Sequence, residues 1–93
     1  MRNTDYFVQG WMVHELNLRG YELIVFAIIY GYTQDGHQKY LVDYDYIRNA
    51  LGDTKADVGK ILSSLVEKEC IGKDEKINRY GITIKEYYSI VHV

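Results

Sequence analysis

Apolar residues dominate one stretch in the first third of the chain. The segment RGYELIVFAIIYGY, from Arg19 to Tyr32, is apolar nearly all round. A helix with apolar residues on every side suits the interior of a protein better than its surface. The pattern therefore predicts a central core helix. Its uninterrupted apolar part, Leu23 to Tyr30, is far shorter than the roughly 20 residues that span a bilayer, so we expect no membrane insertion.

The segment before this helix carries weaker patterns. Tyr6 to Val8 is a short aromatic and β-branched run, which predicts a strand. The sequence GWMVHELNL follows it and predicts one or two helical turns with three residues facing inward: Trp11, Met12 and Leu16. We therefore expect residues 1–18 to form an N-terminal arm.

Turn and capping residues divide the middle of the chain. TQDGHQ contains Asp35 and Gly36, which suit a tight turn, and KYLVD after it predicts a short strand. Asp43 is the expected N-cap of a helix YDYIRNAL, and Gly52 is its expected end. Three residues of this helix fall on one face: Tyr44, Ile47 and Leu51.

The clearest helical pattern follows Gly52. Thr54 is a good N-cap, and apolar residues then recur at the i, i+3, i+4, i+7 spacing of a buried stripe: Val58, Ile61, Leu62 and Leu65. The opposite, outward face of this helix is predicted to carry Lys55, Ala56, Gly59, Lys60 and Ser63. Residues 19–69 are thus expected to form a helical core.

The last part of the chain has a strand pattern. Cys70 and Ile71 precede a charged stretch, and apolar residues then appear at Ile82, Ile84 and Tyr87, which predicts two antiparallel strands over residues 70–93. With 93 residues, of which 47% are hydrophobic, the chain suits one small domain. We predict an α+β fold with three core helices, the arm and a sheet of two to three strands.

The order of these elements and three quoted segments carry a family resemblance. From about Gly20 to Ile77, the chain resembles the winged helix-turn-helix N-terminal domains of phage and plasmid replication proteins, of the initiator or replisome-organiser type, and more loosely many bacterial winged-helix regulators. The similarity lies in YELIVFAIIYGYTQDG, in YDYIRNALGDTKADVGKILSSLVEKECI and in the hairpin that follows.

The resemblance implies binding of double-stranded DNA. The helix from Thr54 would enter the major groove, where Lys55 and Lys60 would contact phosphate or guanine and Ser63 would reach phosphate. The hairpin would rest on the backbone through Lys73, Lys76 and Arg79. Tyr46 and Arg48, predicted on the exposed side of the preceding helix, are further candidates for contact with phosphate or with a partner.

The distribution of charge favours an alternative. The chain has 11 basic and 13 acidic residues, and from Gly52 to Arg79 the two signs balance. Asp53, Ala56 and Asp57 stand where DNA-binding relatives of this fold carry apolar or basic and hydroxyl residues, and Glu69 stands at a turn where glycine is common. Together with Gly59 and ten tyrosines, this pattern is typical of a module that forms a homodimer or docks a replication protein. Basic residues sharing one face would favour DNA, whereas scattered lysines beside an apolar tyrosine patch would favour a protein partner.

Catalytic and metal-binding patterns are weak. Asp43 and Asp45 suit helix capping better than metal binding, and Cys70 has no cysteine partner. The histidines are not at ligand spacing: His14, His37 and His92. We predict a protein that is not an enzyme and that needs no cofactor or metal. Residues Met1 to Asp5 do not resemble a signal peptide, so we expect a cytoplasmic location.

Overall fold

Four helices and three strands make up the part of the chain that a computed structural model describes, residues 6–34, 36 and 38–90. In chain order they are α1 (Gly10–His14), α2 (Gly20–Thr33), β1 (Tyr40–Leu41), α3 (Tyr44–Leu51), α4 (Val58–Glu67), β2 (Ile71–Ile77) and β3 (Thr83–Ser89). The predicted α+β class is confirmed.

The three strands form one antiparallel sheet in the order β1-β3-β2. Tyr40 of β1 lies opposite Tyr87 of β3, and Ile71 at the start of β2 lies opposite Ser89 at the end of β3. All four of these side chains are buried, so they mark the sheet face that packs on the helices. The short strand predicted from KYLVD is confirmed as β1.

Helix α2 is the centre of the core, as its apolar sequence predicted. Its residues from Val25 to Ile29 are all buried. Helix α1 covers one side through Met12, which is buried, and through Trp11, whose ring meets Phe26 edge-on with centroids 5.9 Å apart. The predicted inward positions of Trp11, Met12 and Leu16 are confirmed, because the first and third are partly buried against the core.

A buried polar contact joins the end of α2 to the end of β3. The Thr33 hydroxyl donates to the Ile29 carbonyl at 2.9 Å and accepts from the backbone N–H of Ser89 at 3.0 Å. The two hydroxyl oxygens of Thr33 and Ser89 also lie 3.0 Å apart. Both residues are at most 4% exposed, so these bonds replace water that the groups have lost.

Helix ends follow the sequence at two positions, and a third end has a left-handed residue that is not glycine. Asp43 caps α3, because its Oδ1 accepts from the Tyr46 N–H at 3.0 Å. Gly52 ends α3 with a φ of 69°, which glycine adopts readily. Glu69 has a φ of 63° in the turn after α4, at the position where the sequence lacks the common glycine. The predicted turn is confirmed at Gly36, which has a φ of 78° and donates its N–H to the Thr33 carbonyl at 3.0 Å, whereas Asp35 lies outside the described residues.

Some local predictions are wrong. Tyr6 to Val8 is not a strand, because no strand of the sheet pairs with it, and Phe7 is 73% exposed. Tyr44, predicted on one face of α3 with Ile47 and Leu51, is 42% exposed, whereas Ile47 is buried. Ile82 precedes β3 and is exposed, and Ile84 points to the sheet face opposite Tyr87, because residues an odd number apart alternate across a strand.

Candidate nucleic-acid interface

Helix α4 begins later than its sequence predicted. Asp57 is the N-cap, and its Oδ1 accepts from the Lys60 N–H at 3.0 Å, so the predicted cap at Thr54 is wrong. Residues 53–56 instead form a turn in which Asp53 Oδ1 accepts from the Lys55 N–H at 2.9 Å. Lys55 therefore precedes the helix, although it is exposed.

The turn between α3 and α4 is held by two side chains from other elements. Arg48 Nε donates to the Ala56 carbonyl at 3.2 Å, and the Tyr21 hydroxyl of α2 donates to Asp53 Oδ2 at 2.8 Å. The Lys55 N–H, and after it the Tyr21 hydroxyl, hold the pKa of the Asp53 carboxyl below its ordinary value. Asp53 and Asp57 thus both stabilise the local backbone.

The outward face of α4 is made of small and charged residues. Its exposed positions are Gly59, Lys60, Ser63 and Glu67. A Cβ at Gly59 would meet only Asp57 Oδ1 within 4 Å, at 3.7 Å, so packing among the described residues does not require glycine there. Ala56, predicted on this face, is 6% exposed because it lies in the turn that Arg48 fastens.

An open groove of about 570 Å³ runs beside α4 and the start of α2. Glu22 lies in it and accepts from the Ser64 hydroxyl at 2.7 Å and from Lys68 Nζ at 2.5 Å. The Lys68 ammonium is the main reason that the pKa of Glu22 is lowered. Lys68 is therefore neutralised, whereas Arg19 and Lys60 on the groove walls have no ion pair with a described residue.

The basic residues of the hairpin do not share one face. Lys73 and Lys76 are three positions apart on β2, so their side chains leave opposite faces of the sheet. Lys73 pairs with Glu75 at 3.2 Å and Lys76 with Glu86 at 3.2 Å. Arg79, in the connection to β3, lies over the Tyr80 ring with its Cζ 5.4 Å from the centroid.

The hairpin tip is apolar and ordered, a feature that the sequence analysis missed. Ile77 is 71% exposed, Tyr80 74% and Ile82 59%. Asn78 Oδ1 accepts from the N–H groups of Tyr80 at 2.8 Å and Ile82 at 3.0 Å, which fixes the loop. The apolar residues on both sides of an Asn and Gly turn were the signal in the sequence.

The two candidates on α3, Tyr46 and Arg48, both contact other parts of the protein. Tyr46 is partly buried against the core, so its predicted exposed position is wrong. Arg48 is partly buried, holds the Ala56 carbonyl, lies 3.8 Å from Asp45 and stands over the Tyr44 ring. These contacts account for Arg48 without a nucleic acid.

Metal-binding clusters and membrane-spanning helices are both absent from residues 6–34, 36 and 38–90. No group of three or more His, Cys, Asp or Glu side chains there is arranged to hold a metal ion. No helix in that part of the chain has the length and apolar character needed to cross a membrane. Cys70 is a buried thiol, and burial raises its pKa.

No protein-family model matches the chain, and no curated protein matches it. The case for a function therefore depends on the topology and surface of the chain itself.

Proposed function

We propose that the chain is a winged-helix domain of a replication initiation protein or regulator, and that it binds double-stranded DNA weakly. In this proposal α4 enters the major groove and the β2–β3 hairpin is the wing beside the phosphate backbone. The element order from α2 to β3 and the strand order β1-β3-β2 support it, because they fit the winged-helix plan that the sequence resembles.

The outward face of α4 carries the proposal. Gly59 and Ser63 add almost no bulk there, and Lys60 supplies a cation between them along the chain. The major groove is about 12 Å wide and admits one helix, so small side chains allow the backbone to approach base edges closely. The turn before α4 is fastened by Tyr21 and Arg48, which fixes the direction of the helix.

The number of cations without an ion pair sets the expected salt dependence of DNA binding. Among the predicted contacts, Lys55, Lys60 and Arg79 have no ion pair with a described residue, whereas Lys73 and Lys76 are paired. Three phosphates neutralised give a salt slope of about −2.7, which is about a 40-fold loss of affinity between 50 and 200 mM salt. Binding is therefore weak and steeply dependent on salt.

Fluorescence anisotropy of a labelled random duplex, titrated at those two salt concentrations, tests the proposal. Lys60→Gln is expected to flatten the salt slope by about 0.9 and to weaken binding at low salt. Lys39→Gln is the matched control, because it also removes one positive charge. Lys39 lies on the face of the sheet away from the helices, where it pairs with Asp74. An absence of salt-dependent binding, or equal effects of the two variants, would overturn the proposal.

Removing the negative charge of Asp57 is a second test, in which DNA binding is expected to become tighter. Asparagine caps a helix as well as aspartate does, so Asp57→Asn keeps the bond to the Lys60 N–H and removes one negative charge. At about 7 Å from a phosphate in water, that charge costs about 0.6 kcal/mol, which is about threefold in affinity. Asp57→Asn should bind DNA about threefold more tightly in the same titration, with an unchanged melting temperature. Equal or weaker binding would mean that α4 does not approach phosphate.

The apolar hairpin tip favours a second candidate, a winged-helix module that binds a protein partner. Tyr80 and Ile77 expose apolar surface, and Arg79 lies over the Tyr80 ring. Titrating DNA into Tyr80→Ser separates the two functions. Weaker DNA binding assigns the tip to the wing, and unchanged DNA binding favours a protein as its partner.

A further inference from the structure

Strand β2 is a long open edge of the sheet. It has seven residues, and β3 is its only neighbour among the described strands. It contains no proline, and its register with β3 runs without a bulge from Ile71 to Ile77. Natural edges are commonly shortened, bulged or covered, because an open edge offers backbone groups to another strand.

The hydrogen bonds at both ends of β2 show which backbone groups point outward. The Asn78 N–H donates to the Ile82 carbonyl, and the Ile90 N–H donates to the Cys70 carbonyl, each at 3.0 Å. Hydrogen-bonded positions alternate along an antiparallel strand, so the even-numbered residues of β2 bond to β3. The N–H and C=O groups of the odd-numbered residues therefore point away from β3. Ile71 is 1% exposed, so the groups that another strand can reach are those of Lys73, Glu75 and Ile77.

The side chains of these outward-bonding residues are complementary to those of the same residues in a second copy of the chain. If a second β2 runs antiparallel with Asp74 on the two-fold axis, Lys73 lies opposite the partner's Glu75, and Glu75 lies opposite the partner's Lys73. Both pairs use residues whose backbone groups point outward, so the hydrogen bonding fits this register. Asp74 meets its own copy, but each Asp74 is already paired with Lys39.

We propose that two copies of this chain associate along β2 in that register. The product is a six-stranded sheet, with the helices of both copies on the same face. Lys73, which the sequence assigned to DNA, then belongs to the dimer interface. The interface shares β2 with the proposed wing, but it uses none of the three cations that carry the expected salt dependence of DNA binding: Lys55, Lys60 and Arg79.

The pattern of charge selects a second copy over other extended peptides. An edge protected by lysines alone repels its own copy, whereas β2 alternates Lys73 and Glu75 with equal numbers of each sign. Cross-strand pairs of opposite charge stabilise a sheet and like pairs destabilise it. One strand pair is a small interface, so the association is expected to be weak and concentration-dependent.

Charge exchange tests the register. Sedimentation is measured for the wild type, Lys73→Glu, Glu75→Lys and an equal mixture of the two variants. Each variant alone opposes like charges twice per dimer and should dimerise at least about tenfold more weakly. The mixture restores both Lys–Glu pairs and should form heterodimers. Within one chain both variants lose the same ion pair, so recovery on mixing identifies pairing between chains.

Amide hydrogen exchange gives a second measurement that needs no variant. The N–H groups of Lys73 and Glu75 should become protected as the wild-type concentration rises, whereas that of Asp74, bonded to β3, should be protected throughout. A wild-type monomer at about 1 mM overturns the proposal, as does a mixture no more associated than its components. DNA titration of a monomeric variant then tests the DNA proposal separately, since Lys73 carries none of the expected salt slope.

Discussion

Replacing Thr33 by valine should destabilise the protein strongly although it keeps the shape of the side chain. Valine fills the same space in the core between α2 and β3, so it adds no cavity. It removes the hydroxyl oxygen that accepts from the Ser89 N–H at 3.0 Å and that also lies 3.0 Å from Ser89 Oγ. The backbone N–H and the hydroxyl of Ser89, a residue that is 4% exposed, thus lose their partner.

The cost follows from desolvation. A buried polar group left without a partner costs about 1–3 kcal/mol, so two such groups cost about 3 kcal/mol in the free energy of unfolding. A domain of this size has about 5–15 kcal/mol in total. Since 1 kcal/mol shifts the melting temperature of a small domain by about 4–8 °C, Thr33→Val should melt at least about 12 °C below the wild type.

Urea unfolding followed by circular dichroism measures this difference. Thr33→Ser is the control, because it keeps the hydroxyl and loses one methyl group, which costs about 1 kcal/mol. Adding Ser89→Ala to Thr33→Val removes the orphaned hydroxyl and should recover part of the loss. If Thr33→Val unfolds within about 0.5 kcal/mol of the wild type, or is more stable than Thr33→Ser, the contact does not fasten β3 to α2.

Two further predictions concern stability. The folded pKa of Glu22 is lowered, so its contribution is complete above its ordinary value of 4.5 and is lost as the pH falls through the lowered pKa. Glu22→Gln should cost about 1 kcal/mol at pH 7 and flatten the acid limb of melting temperature against pH; an unchanged limb would contradict this. Glu69→Gly should raise the free energy of unfolding by about 0.5–1 kcal/mol in urea titrations, because glycine adopts the left-handed backbone at lower cost. A loss of stability would show that other contacts of Glu69 outweigh its backbone strain.

Local chemistry was enough to predict the helices and most of their ends. The apolar run of α2, the Asp43 cap and the Gly52 terminus depend on neighbours a few residues away, so they are legible in the sequence. The start of α4 is not local. Tyr21 reaches Asp53 across 32 positions, and Arg48 holds the Ala56 carbonyl, and both favour the turn that displaces the cap from Thr54 to Asp57.

The candidate site was predicted less well than the fold. Lys60, Gly59 and Ser63 are on the exposed face of α4 as expected, because helical periodicity fixes that face once the stripe is known. The ion pairs of the hairpin were not predictable from the sequence. Lys76 pairs with Glu86 across the two strands, and that pairing depends on the strand register. DNA binding itself stays a proposal.

Strand β3 completes contacts with two elements that come earlier in the chain, β1 and α2. Tyr87 covers Tyr40, and Ser89 bonds to Thr33, although about 50 residues separate the partners in each pair. During synthesis from the N-terminus, α2, α3 and α4 leave the ribosome before β3 does. The nascent helices therefore expose apolar surface until the final strand arrives, so we expect this stage to be the one at which a chaperone would bind.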